Sequence, residues 1–333
     1  MRKPRELRIA AISVVTLQHA IRGGMERYFD HVIQGLGTLG HSVTVLTSEL
    51  DDKVAGANPQ FQSLPVPVGA KRRKWNRELR SHYRDLGTTP DIILSNSFAA
   101  GPIENFHCPL VSIMQGPGLV DLISSIRLLI RGRGSLIGCV GETLRAGRLY
   151  AIQRKLMHAC ILLVAVSKQT KESLTKIYGV TPDKIRVIPA PVDTELFHPR
   201  EARTVVAPSA KNPFRILTAG TLSRQKGFDF VLEAFAELNR RYPKCYRLTV
   251  AGQGPEMQHL REKAQRLAVY PHLSFVGGLE AWELAETFRE SDLFVLGTLR
   301  EEGFPLVIAE ALASGIAVVA TKAGGNRTAV RDG

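Results

Sequence analysis

The chain has 333 residues, a length that suits two domains better than one hydrophobic core. Its formal net charge of +13 indicates attraction to anions: phosphorylated substrates, an anionic membrane surface or nucleic acid. The hydrophobic content of 44% is ordinary, and no apolar run approaches the roughly 20 residues of a spanning helix, so we expect a soluble or peripheral protein.

The cysteines and the first residues indicate a cytoplasmic protein. Cys108, Cys139, Cys160 and Cys245 are scattered, with neither metal-ligand nor redox spacing, which predicts reduced thiols. Residues 1–10 are basic but lack a long apolar core and a small-residue cleavage site, so we expect no signal peptide.

Residues 1–198 read as a first α/β domain. A helix is predicted over 25–39, and Ser167 is the predicted N-cap of a helix over 168–178. Strands are predicted over 7–15, 42–47, 61–66, 91–95, 110–114, 161–166 and 185–188.

Gly23 and Gly24 lie where the first loop meets the first helix. Glycine there lets the backbone approach a ligand closely, although a bare Gly-Gly pair is more often a simple turn. The chain has no G-x-G-x-x-G and no Walker A sequence, so NAD and ATP binding lose support. Gln115 follows the strand over 110–114, at the strand end where open parallel sheets carry their ligands.

Two segments of the first domain are strongly basic. The cluster from Lys71 to Lys74 is most simply a solvated surface, with a site for an acidic partner as the alternative. Residues 119–133 pair an apolar helical face with arginines, which suits either an anionic membrane surface or a helix packed on its own domain. No aromatic residue interleaves with the arginines before Tyr150, which argues against single-stranded nucleic acid.

Residues 199–213 are the predicted linker, and 214–333 form a second domain of alternating strands and helices. This alternation predicts a parallel doubly wound sheet. Strands are predicted over 214–219, 246–251, 273–276, 292–296 and 316–320, and helices from 228 and over 256–267, 282–289 and 306–314.

The loop from Gly220 to Gly227 carries two cations between a strand and a helix. Arg224 and Lys226 can neutralise a departing diphosphate with help from the helix that begins near Phe228. A lysine before a glycine is, by itself, usually only a surface residue.

The stretch 301–320 reads as loop, helix, turn and strand. Glu302 and Glu310 are eight positions apart, so both can lie on one side of the helix axis, although that spacing alone more often marks a solvated helix face. Pro305 is a favourable first helical residue, and the backbone N–H groups of 303–306 form a donor cluster at the positive end of the helix. Gly315 is the predicted stop.

These residues resemble the E-x7-E motif of retaining GT-B glycosyltransferases, in particular family 4. The match runs from Glu302 through Gly303, Phe304, Pro305 and Leu306 to Glu310, and the Ala-Ser-Gly turn and Gly-Gly pair downstream also fit. The resemblance covers nearly the whole chain. It implies two Rossmann-like domains facing across a cleft, the second one incomplete.

The resemblance also implies roles. Lys226, with Arg224 and Gly220, would hold the donor diphosphate, and the loop at Gly277 would hold the base. Glu310 would bind the ribose, while Glu302 and the amides of 303–305 would position the sugar. Gly23, Gly24 and Gln115 would lie on the acceptor side, and Glu302, Lys226 and Gly24 would be the catalytic residues. No D-x-D triplet occurs, which suits the metal-independent class, so no cofactor is expected.

The sequence departs from the family at several places. Gln115 stands where relatives have histidine, Ala190-Pro191 replaces Asn-Gly, and Thr221 and Thr328 replace an arginine and a glutamate. Relatives continue beyond the place of Gly333 with another strand and further helices.

We therefore expect a retaining glycosyltransferase that moves a sugar from a nucleotide-diphosphate sugar to a lipid-linked or saccharide acceptor. We expect it in the cytoplasm, with peripheral docking on the inner face of the membrane through Leu119 to Arg133 as an additional contact. The alternative is a truncated, non-catalytic nucleotide-sugar-binding or membrane-associated remnant. Nucleic acid is not an expected partner.

Overall fold

A computed structural model describes residues 5–19, 23–50, 60–84, 89–101, 108–116, 126, 130, 136–200 and 207–331. Contacts between residues divide the chain into two compact units. The stretch from Thr143 to Ala190 belongs to the first unit, and the second unit takes up the chain again at Pro191. Residues 191–198 were predicted to end the first domain, but they pack with the second unit. The Phe197 ring lies in that unit's core, with its centroid 6.2 Å from that of Phe288.

The first unit is a seven-stranded sheet in the order β3-β2-β1-β4-β5-β6-β7, with every pair parallel. Its strands are β1 Arg8–Ile12, β2 Ser42–Thr47, β3 Phe61–Ser63, β4 Ile92–Asn96, β5 Leu110–Met114, β6 Leu162–Ala165 and β7 Ile185–Val187. Each overlaps a predicted strand. β3 stops at Ser63, short of the predicted 66, because Pro65 has no N–H to continue the ladder.

Helices connect these strands. They are α1 Gly24–Thr38, α2 Arg72–Arg84, α3 Leu136–Ala159 and α4 Lys168–Tyr178. The first and last confirm predicted helices, while α2 and α3 were missed. The signal for α2 was the apolar spacing of Trp75, Leu79 and Tyr83, of which the first two are buried.

The second unit is a five-stranded parallel sheet in the order β10-β9-β8-β11-β12. Its strands are β8 Phe214–Ala219, β9 Tyr246–Ala251, β10 Leu273–Gly277, β11 Leu293–Leu296 and β12 Ala317–Ala320. Its helices are α5 Phe228–Arg241, α6 Met257–Arg266, α7 Ala281–Glu290, α8 Leu306–Ala313 and α9 Asn326–Ala329. All strands therefore end at one edge of the sheet, and their loops meet there.

Close backbone packing fixes that edge. Gly227 has a φ of 69°, which favours glycine, and a Cβ there would overlap the carbonyl oxygen of Gly297. A Cβ on Gly325 would likewise overlap the carbonyl oxygen of Gly303, and the Gly325 N–H donates to Glu302 O over 2.6 Å. The loops after β8, β11 and β12 are thereby brought into direct backbone contact.

The N-cap of α4 gives a prediction about the stability of the first unit. Ser167 is fully buried, and its Oγ accepts a hydrogen bond of 3.1 Å from the N–H of Thr170, as the sequence predicted. Ser167→Ala should lower the free energy of unfolding by about 1 kcal/mol, because this N–H loses its partner. Ser167→Thr, which keeps the hydroxyl, is the control in urea unfolding, and equal midpoints for the two variants would contradict the assignment.

The packing of Gly325 gives a second prediction. Gly325→Ala should cost roughly 1–3 kcal/mol of unfolding free energy, because the added methyl group forces the Gly303 backbone aside. Gly35→Ala in α1 is the matched control, since no atom lies within 4 Å of its added Cβ and alanine favours a helix. An alanine at 325 that leaves the denaturant midpoint unchanged would show that the backbone contact is not tight.

Candidate functional site

The loops at the carboxyl edge of the second sheet are tied to one another by main-chain hydrogen bonds. Gly252 N–H donates to Gly277 O over 2.6 Å, and Leu222 N–H donates to Gln253 O over 2.8 Å. Gln225 O accepts from the N–H of Leu299 over 2.9 Å. The loops that carry the predicted donor residues therefore form one connected surface.

The predicted phosphate loop has a defined conformation. Arg224–Lys226 forms a single 3₁₀ turn, Gly227 follows in the left-handed region, and α5 begins at Phe228 as predicted. Arg224 is exposed, and Lys226 is partly buried. The turn thus presents two cations beside the start of a helix, an arrangement that suits an anionic ligand.

Lys226 and Glu302 form an ion pair across this edge. The Lys226 Nζ lies 2.7 Å from Glu302 Oε1, and the two side chains are 20% and 14% exposed. Thr298 Oγ1 lies 3.3 Å from the same carboxylate oxygen and 3.3 Å from Gln225 O. The sequence analysis placed Lys226 on the diphosphate and Glu302 on the sugar, and the structure brings the two groups together.

The start of α8 differs in detail from its prediction. Pro305 is the N-cap, with φ −78° and ψ 104°, rather than the first helical residue. Proline has no N–H, so it cannot belong to the predicted donor cluster. The N–H groups there come from Gly303 and Phe304, with Leu306 in the first turn of the helix.

Glu310 lies inside α8 and is buried, with 3% of its surface exposed. A buried glutamate is uncommon, so the solvated helix face suggested by spacing alone is wrong for this residue. Gly315 has a φ of 74° just after the C-cap Ser314, which confirms the predicted stop. The predicted base-binding Gly277 ends β10 with a φ of 78°.

On the predicted acceptor side, Gly23 is the N-cap of α1 and Gly24 its first residue. The Glu26 carboxylate accepts hydrogen bonds from its own N–H and that of Gly23. Burial raises the pKa of the Glu26 carboxyl, and those two hydrogen bonds oppose the rise. A carboxylate of the protein itself therefore already caps this helix start.

Gln115 joins β5 to α1 and β4. Its amide nitrogen lies 3.1 Å from Met25 O and 3.2 Å from Asn96 Oδ1, so both amide hydrogens have partners. The Asn96 amide in turn donates to Ser13 Oγ over 2.9 Å. The sequence analysis placed Gln115 on the acceptor side, and the group of its side chain that is left for a ligand is the carbonyl oxygen.

Ser97 was missed by sequence reasoning. It has a φ of 54°, which is uncommon for a residue other than glycine, directly after β4. The carbonyl oxygen of Ser97 accepts a hydrogen bond of 2.6 Å from Ser112 Oγ and one of 3.1 Å from Ser95 Oγ. Strained backbone held by several bonds often marks a functional site.

The predicted membrane segment, 119–133, lies outside the described residues apart from Ile126 and Ile130, whose side chains are exposed. Among the helices that the structure describes, none combines the length and apolar character needed to cross a membrane. Within the same described ranges, no group of three His, Cys, Asp or Glu side chains is arranged to hold a metal ion.

Two family models match successive parts of the chain. Residues 22–196 match the family model described as Glycosyltransferase Family 4. Residues 200–333 match the model described as Glycosyl transferases group 1.

Curated relatives agree with these matches. D-inositol 3-phosphate glycosyltransferase 2 from Catenulispora acidiphila is 30% identical over 64% of this chain, and the chain spans 52% of that protein's length. A D-inositol 3-phosphate glycosyltransferase from Xylanimonas cellulosilytica is 31% identical over 93% of this chain and 78% of its own length.

A solved structure supports the fold. HepE from Anabaena, crystallised with UDP and glucose, is similar with a TM-score of 0.68 at 19% identity, over 98% of this chain and 84% of HepE. The GT-B fold class expected from the sequence is thus confirmed. The chain belongs to glycosyltransferase family 4.

Proposed function

We propose that the chain is a retaining glycosyltransferase that transfers a sugar from a nucleotide-diphosphate sugar to a lipid-linked or saccharide acceptor without a metal ion. The observation that carries this proposal is the pairing of Lys226 with Glu302 beside the starts of α5 and α8. One cation, one carboxylate and two helix starts then lie at a single sheet edge, where open α/β sheets bind ligands.

In this proposal the donor lies along the carboxyl edge of the second sheet. Lys226 and Arg224 face the diphosphate, and Glu310 accepts hydrogen bonds from the ribose hydroxyls. Glu302 and the N–H groups of 303 and 304 position the sugar, and Gly277 leaves room for the base. The crystal structures of HepE with UDP and with UDP-glucose support a nucleotide sugar as the ligand class.

The reaction follows from these positions. The bond between the anomeric carbon and the β-phosphate oxygen breaks, and negative charge grows on the departing diphosphate. Lys226 and the helix starts stabilise that charge, which lowers the barrier because the charge is larger in the transition state than in the substrate. The acceptor oxygen bonds to the same face of the sugar, and its proton passes to the departing phosphate oxygen.

The ion pair gives the central prediction of the proposal. Lys226→Ala should weaken the binding of UDP, or of whichever nucleoside diphosphate the parent prefers, by roughly 10- to 100-fold, since a charged hydrogen bond is lost. Glu302→Gln should bind the nucleotide as well as the parent or better, because Lys226 loses its internal partner. Calorimetric titrations with EDTA present measure both effects and test metal independence.

Lys211→Ala is the control for that experiment, because Lys211 is exposed and lies in none of these loops. A folded parent that binds no nucleoside diphosphate and no nucleotide sugar would overturn the donor site. Nucleotide-sugar binding without transfer to any acceptor would favour the non-catalytic alternative.

Glu310 gives a separate prediction about the ribose. Glu310→Gln keeps the shape of this buried side chain but removes its charge. The parent should prefer UDP to 2′-deoxy-UDP, and the variant should lose most of that preference, because a carboxylate accepts hydrogen bonds more strongly than an amide. The ratio of the two dissociation constants is the measurement, and an unchanged ratio would remove Glu310 from the ribose site.

A further inference from the structure

The first unit contains a pocket of about 350 Å³ at the carboxyl edge of its own sheet. This volume lies at the lower end of the range for small-molecule sites. Its walls come from the end of β1, the start of α1, the segment after β3, the start of α2 and the residues after β4. The described residues that line the pocket therefore all lie between Ser13 and Ala99.

The guanidinium group of Arg72 lines this pocket. Arg72 was expected in a solvated basic cluster, and its neighbours Lys71, Arg73 and Lys74 are exposed, but Arg72 is partly buried. Its side chain donates one hydrogen bond, from Nη2 to Phe98 O over 2.5 Å. The Nε atom is buried and has no hydrogen-bond partner among the residues that the structure describes.

The described part of the chain gives Arg72 no counter-charge. Burial lowers the pKa of its guanidinium, and no carboxylate of the described residues contributes to that shift or forms an ion pair with it. Glu26 lines the same pocket, but its carboxylate is engaged by the N–H groups at the start of α1. A partly buried cation without a counter-charge is unfavourable unless an anion binds there.

One wall of the pocket is apolar. Trp75 is 4% exposed, and its Nε1 donates to Ala99 O over 2.7 Å, which fixes the indole ring. Val66 and Phe98 extend this apolar wall. Met25 and Glu26 form a wall at the start of α1, which the proposed function assigns to the acceptor side.

We infer that this pocket binds the acceptor through an oxyanion, which is either a phosphate monoester or a carboxylate. The guanidinium of Arg72 holds this oxyanion, while the apolar body of the acceptor lies against Trp75. The guanidinium fork matches such oxyanions in geometry. The role as acceptor site rests on the proposed function, whereas the binding of the oxyanion does not.

The experiment uses Trp75 as a reporter. The chain has two tryptophans, and Trp282 is 62% exposed in the second unit, so Trp282→Phe leaves Trp75 as the only indole. Glucose 6-phosphate, glucuronate, glucose and inorganic phosphate are titrated against this full-length variant, and the Trp75 emission is recorded. The four probes are, in this order, a sugar with a phosphate group, a sugar with a carboxylate group, a neutral sugar and an anion without a sugar.

We expect saturable emission changes with glucose 6-phosphate or glucuronate, whichever oxyanion the pocket prefers, and none with glucose. Arg72→Gln should weaken that binding by roughly 10- to 100-fold, the loss expected for a charged hydrogen bond. Arg72→Lys keeps the charge but loses the forked arrangement of donors, so its affinity should lie between those of the parent and of Arg72→Gln. Arg73→Gln is the matched control, because it removes the same charge from an exposed neighbour and should change affinity less than about threefold.

Three results would overturn the inference: equal binding of glucose and the charged sugars, equal losses for Arg72→Gln and Arg73→Gln, or no binding of any oxyanion by the folded parent. Thermal unfolding of each variant verifies that it is folded.

Repeating the titrations with Lys226→Ala separates the two proposals. Oxyanion binding that survives this change belongs to the pocket, and nucleotide binding that survives Arg72→Gln belongs to the donor site.

Discussion

The ion pair between Lys226 and Glu302 is the interaction on which the second unit's site depends. Its two residues come from loops that leave different strands, and the pair is mostly shielded from water. Two partly buried charges cost solvation, which their attraction and the hydroxyl of Thr298 offset. In the proposed reaction, an arriving diphosphate would replace Glu302 as the negative partner of Lys226. The released carboxylate would then be free to accept a hydrogen bond from a sugar hydroxyl group.

Such an exchange requires loops that hold their places while partners change. Gly227 and Gly325 hold the loops in place, because each lets its own backbone contact the backbone of another loop directly. Any side chain at these two positions would push the loops apart. The parallel sheet supplies the rest, since it delivers all five strand ends to the same edge. Rigid support of this kind keeps charged groups oriented before the reaction, which is the main source of electrostatic catalysis.

Much of this arrangement could be predicted from local signals. The cap at Ser167, the helix start at Phe228 and the strand runs all depend on a few neighbouring residues, so the sequence alone revealed them. The family motif located Glu302 and Lys226, but not their pairing, because the two are 76 positions apart and only the folded topology shows which groups meet.

Other features carried weaker signals. Nothing in the identity of Ser97 predicts a positive φ, since the surrounding serines impose it through hydrogen bonds. Arg72 looked like its exposed neighbours because charge runs are usually solvated, and its burial follows from the position of Trp75 three residues on, facing the core. α2 itself was missed because its apolar residues are few among six basic ones.

The contacts of Gln115 have a consequence for substitutions at this position and at its neighbour Asn96. Its side chain satisfies the main-chain oxygen of Met25 and the amide oxygen of Asn96 at once. A histidine at this place would have a different reach and at most two ring donors pointing in opposite directions. Residues 115 and 96 are therefore expected to be epistatic, because the effect of replacing one depends on the side chain that the other provides.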